Sequence, residues 1–114
     1  MPIHHLDHRA TTEQFTEMLE ELETLIKFAV DIRRGVAVGG GEFHADCESV
    51  LLQRGSNQSD IWGADYLPDS DAVRCEAMIN LMPSRGNPSL RIIDPEIRYR
   101  TETVLRALLP ERAT

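Results

Sequence analysis

The apolar positions begin at helical spacing. Phe15, Met18, Leu19 and Leu22 form one stripe, while Glu13, Glu17, Glu20 and Glu21 fill the opposite, solvated face. Thr11-Thr12-Glu13-Gln14 reads as a capping box, with Thr11 as the cap and Gln14 reaching back. The period then drops to two. From Ile26 to Ile32 the large apolar residues alternate, a strand signal; Arg34-Gly35 is a turn, and Val36-Ala37-Val38 is a short return strand. Gly39, Gly40 and Gly41 are expected to end that hairpin. Ala45 to Arg54 reads as a short helix around Val50, Leu51 and Leu52, with Gly55 suited to the left-handed position after it. Ile61 to Leu67 and Cys75 to Leu81 read as two more strands. The stretch from Pro83 to Ser89 is rich in turn formers. Asp94 and Pro95 then mark the start of a last helix, with Ile97, Val104, Leu105 and Leu108 on its buried stripe and Pro110 as its stop.

The order is helix, strand, strand, helix, strand, strand, helix. It predicts an α+β sandwich: about four mainly antiparallel strands, with about three helices packed on one face. A chain of 114 residues fits one domain, 1–114. Residues 1–10 are expected to be an extended, flexible N-terminal segment, with His4, His5 and His8 solvated.

Charge narrows the function classes. The net charge of −7 argues against general nucleic-acid binding, which usually needs a basic face. The charges are unevenly spread, however. Acids crowd residues 13–23, while Arg85, Arg91, Arg98, Arg100 and Arg106 lie in the last third, leaving room for a local anion site. No run approaches the roughly 18 apolar residues of a membrane span, and no signal-peptide pattern is present. A cytoplasmic protein with Cys47 and Cys75 reduced is expected. Two isolated cysteines do not make a zinc framework.

Three stretches carry candidate chemistry. In GGGEFHADCE, residues 39–48, an imidazole stands among carboxylates. His44, Asp46 and Glu42 are candidate ligands for a divalent metal. Alternatively, His44 and Asp46 are candidate catalytic groups, with His44 as a general base oriented by the acid. The simpler reading is a hairpin end followed by acids in a first helical turn, where the dipole favours them by roughly 0.3–1 kcal/mol. In the loop from Arg85 to Arg91, the candidate binders of a phosphate or carboxylate are Arg85, Asn87, Ser89 and Arg91; the plain alternative is a surface loop. Trp62 reads first as a packing residue and second as a stacking or interface residue. Asp31 and Asn80 are polar positions within strands and become site candidates only if their sheet face is covered. Cys47 follows an acid, which raises a thiol pKa, so it is a poor nucleophile.

Seven short runs stand out together: Val30-Asp31, GGEFHAD (Gly40 to Asp46), Gly55-Ser56, Trp62-Gly63, Met78-Ile79-Asn80, Pro83 to Asn87, and Asp94 to Arg98. Jointly they resemble a family of short prokaryotic proteins known only as a domain of unknown function. The resemblance spans roughly residues 12–109, and the extra glycine near position 40 departs from the family pattern. It implies no reaction, substrate or cofactor.

Two function classes stay open. One is a polar pocket between the 39–48 and 83–94 loops that binds a divalent metal, a small anionic ligand, or both. The other is a non-enzymatic homodimer or interaction module, with Phe28, Trp62, Tyr66 and Met82 sharing a surface.

Overall fold

A computed structural model describes residues 3–76 and 94–110. Five strands form one sheet: β1 (His4–Leu6), β2 (Ile26–Asp31), β3 (Val36–Gly41), β4 (Ile61–Leu67) and β5 (Ala72–Glu76). Their order across the sheet is β1-β3-β2-β4-β5, and every neighbouring pair is antiparallel. The helices are α1 (Thr12–Leu19), α2 (His44–Gln53) and α3 (Pro95–Leu108), with a short 3-10 turn at Gln58–Asp60. The expected α+β class, with an antiparallel sheet and three helices, therefore holds.

The helix starts follow their sequence signals. The Thr11 hydroxyl accepts the Gln14 N–H, and the Gln14 side chain accepts the Thr11 N–H. The Asp94 carboxylate accepts the N–H groups of Glu96 and Ile97, ahead of Pro95 in the first turn.

The helices do not all share one face. Ile26, Phe28, Val30, Ala37, Ala64 and Tyr66 point to the side covered by α1 and α3, where they meet Met18, Leu105 and Leu108. Ala29, Val36, Val38 and Ile61 point to the other side and pack on Cys47 and Leu51 of α2. The large residues of β2 announce only the first face. The second is built of small ones that alternation alone reads as neutral. With both faces covered, Phe28, Trp62 and Tyr66 are interior, and the shared surface expected of them does not form; Met82 lies outside the described residues. Trp62 packs with Ile32, Cys75 and Ile97, which bears out its packing role. Its indole nitrogen has no hydrogen-bond partner among the described residues.

The glycine run ends the hairpin from within: it forms the last three residues of β3, paired with β2, and not a loop after it. A Cβ on Gly39 would stand 2.3 Å from Cε1 of the Phe28 ring. Gly40 has φ +102 and sits where the β2–β3 register shifts, a bulge that L side chains rarely fit. Gly41 lies against Asp46 and Cys47 of α2.

Two smaller expectations change as well. The last hairpin strand begins at Ala72 and not at Cys75, because Pro68–Asp71 makes the turn, with Asp71 at φ +52. Asn80 falls outside the described residues. His4 and His5 are half-buried on β1, which pairs with β3, and not free in solvent as expected; His4 Nε2 is bonded to Glu17 at 2.7 Å.

Candidate functional site

β4 carries one acid, Asp65, in a strand that is otherwise apolar or aromatic apart from Gly63. The pairing registers place Gly41, Lys27, Asp65 and Arg74 in one row across β3, β2, β4 and β5. α2 begins above this row. His44, its first residue, is 6% exposed and turns its ring towards the sheet.

There Nε2 of His44 lies 2.8 Å from Oδ1 of Asp65, while Nη2 of Arg74 donates to Oδ2 at 3.2 Å. The Asp65 side chain is 8% exposed, and that of Arg74 half exposed. An ionised carboxylate only accepts, so Nε2 of His44 carries the proton in this pair. Withdrawing one carboxylate from water costs several kcal/mol unless partners compensate it. Here both oxygens are occupied, one by an imidazole and one by a guanidinium.

The sequence-predicted residues divide. His44 is placed in a polar cluster, but its partner is Asp65, not Asp46 or Glu42. Asp46 is exposed and its Oδ2 accepts the Phe43 N–H at 3.2 Å, closing the first turn of α2. Glu42 is exposed. Among the described residues, no group of three or more His, Cys, Asp and Glu side chains is placed to hold a metal ion. Arg85, Asn87, Ser89 and Arg91 fall outside the described residues, on the connection from β5 to α3. Asp31 is fully buried, as its covered face requires, but its carboxylate is saturated: Oδ1 accepts the N–H groups of Arg33 and Arg34, and Oδ2 accepts the Ser56 hydroxyl. It fixes the β2–β3 turn. Burial, reinforced by Asp46, pushes the Cys47 thiol up to about 11, so it stays protonated at neutral pH.

Beyond Arg74 a cleft of about 380 Å³ opens between β5 and α3. Its walls include Arg74, Cys75, Arg98, Tyr99 and Glu102. Tyr99 is 72% exposed. Glu102 accepts a hydrogen bond from Arg106 at 2.7 Å, and Arg106 also pairs with Asp71 at 3.5 Å. Arg98 makes no ion pair among the described residues. In the sequence Arg98 is distinguished only as one of the late arginines, and Asp65 and Arg74 belong to none of the three candidate stretches. The available signal was charge within strands: Lys27, Asp65 and Arg74 each interrupt an apolar run.

The profile of the family described as "Protein of unknown function (DUF5674)" matches residues 4–108. The chain belongs to that family. The match runs from the first residue of β1 to the last residue of α3, so in this DUF5674 member it takes in every strand and helix described above. It also bears out the resemblance carried by the short runs. No curated protein and no solved structure matches the chain significantly. No helix among the described residues is long and apolar enough to cross a membrane.

Proposed function

We propose that this protein binds a small anionic ligand, bearing a phosphate or carboxylate, in the cleft between β5 and α3. The observation that carries this reading is the charge balance of the cleft. Asp65 is taken by His44 and Arg74, and Glu102 by Arg106, so Arg98 is a cation with no carboxylate of its own in a chain of net charge −7. Guanidinium groups hold carboxylates and phosphates through paired N–H donors. A volume of about 380 Å³ lies at the lower end of small-molecule sites, roughly 300–1,000 Å³. His44 and Asp65 act at one remove as positioning residues that hold Arg74 beside the cleft. No reaction is assigned.

The test is a thermal melt against inorganic phosphate and citrate at matched ionic strength. At about a hundred times its dissociation constant, a ligand adds roughly 2.7 kcal/mol, a rise of several degrees for a chain of this size. The rise should disappear in Arg98→Gln, whose own melting temperature should be nearly unchanged. No rise with either anion, or an equal rise in the variant, overturns the reading.

A further inference from the structure

A second group of cations meets on the far side of α2. His5 of β1 lies opposite Val38, whose side chain belongs to the α2 side of the sheet. Arg34, in the β2–β3 turn, donates to the carbonyl of Arg54 at 3.0 Å and to the Ser56 hydroxyl at 3.2 Å. Arg54 caps the C-terminal end of α2, so the two arginines are neighbours.

The acids around them are already engaged. Asp31 is saturated as described above. Asp60 is held by Arg33 at 2.9 Å, and Asp7 by His8 at 2.6 Å. Arg54 makes no ion pair among the described residues. Nε2 of His5 is buried and has no hydrogen-bond partner among them. An unsatisfied buried nitrogen costs about 1–3 kcal/mol, which an incoming acceptor oxygen would recover.

One feature opposes an anion here: the C-terminal end of a helix carries partial negative charge. The last carbonyls of α2 are capped, however. Val50 and Leu51 accept from the Arg54 N–H, Leu52 from Gly55, and Leu51 also from Ser56. The remaining dipole effect is about 0.3–1 kcal/mol at an exposed site, less than two full guanidinium charges supply.

We propose that His5, Arg34 and Arg54 form a second anion site, distinct from the cleft, which takes one compact phosphate-class oxyanion. His5 Nε2–H and the free edges of the two guanidinium groups are its donors. The local field agrees with this. Burial, and then Arg54 with Arg34, hold the His5 imidazole below its ordinary pKa, against the opposing pull of Asp7. A bound anion favours the imidazolium and must raise that pKa.

The full chain is titrated by NMR through the His5 ring, at matched ionic strength, in chloride, in inorganic phosphate and with a nucleoside monophosphate. In the wild type, phosphate should raise the His5 pKa by about one pH unit relative to chloride. Arg54→Gln should raise the pKa in chloride, since a repelling cation is gone, and should abolish the phosphate response. Arg98→Gln should leave that response intact, which separates this site from the cleft. A response to both ligands identifies a free oxyanion site. A response to the monophosphate alone identifies the same donors reading a phosphate ester. No response to either, or an undiminished one in Arg54→Gln, overturns the proposal.

Discussion

Gly39→Ala is expected to destabilise the protein by about 3 kcal/mol, the upper end of the range for an overpacked core. The added methyl would stand 2.3 Å from one ring carbon of Phe28 and 2.5 Å from the next, closer than any carbon contact can be. Phe28 is fully buried against the α1 and α3 side, so its ring has nowhere to retreat. The backbone itself is not the obstacle, because Gly39 is absent from the positive-φ positions. In a chain of this length, 3 kcal/mol corresponds to a fall of roughly 12 °C in Tm. Phe28→Leu should lower stability on its own, yet the double variant should be more stable than the two losses added together by over roughly 1 kcal/mol, the coupling expected of touching residues. Additive losses would mean that the ring and the strand do not press on each other.

The second large effect is expected at Asp65. Asp65→Ala strips the acceptor from His44, which is 6% exposed and cannot turn to water in place. Breaking a buried pair by removing one partner costs about 3–5 kcal/mol. The lower end applies, because half-exposed Arg74 can be rehydrated while His44 cannot. Urea unfolding should show a midpoint shift equivalent to about 3 kcal/mol with an unchanged slope. Arg74→Ala, by contrast, should cost no more than about 1 kcal/mol, as for an exposed ion pair. Under the cleft reading, both variants should weaken the phosphate-induced rise in Tm, since one frees the Arg74 guanidinium from its acceptor and the other removes it. If Asp65→Ala costs no more than Arg74→Ala, the His44–Asp65 contact is a surface contact and holds nothing.

The sequence was most legible where one rule decides. Thr11 with Gln14 and Asp94 with Pro95 have the chemistry of helix starts, and both caps form. Ile26, Phe28 and Val30 alternate and lie on one buried face. The rest depended on contacts distant in the chain. Ala29 and Val38 reveal a second core only when Cys47 and Leu51 are laid over them. His44 stands out in the sequence, but its neighbours there point to a partner other than the one the structure gives it. Asp46 is two positions away and turns back to Phe43, while Asp65, 21 positions away, is brought beneath it by strand pairing. The glycines likewise read as a break after the strand, because composition cannot show that Gly39 and Gly41 still pair with β2.

The path of the chain between β3 and β4 has a kinetic consequence. Both strands run antiparallel to β2, so they are parallel to each other, and α2 carries the chain over β2 from one flank to the other. The β2–β3 and β4–β5 pairs are joined by short turns and can zip early. Closing β2 against β4 joins residues at least 30 positions apart, Asp31 with Ile61, and such long loops close slowly. His44 meets Asp65 only in that late closure, so the polar cluster is assembled by the same step that seals the sheet.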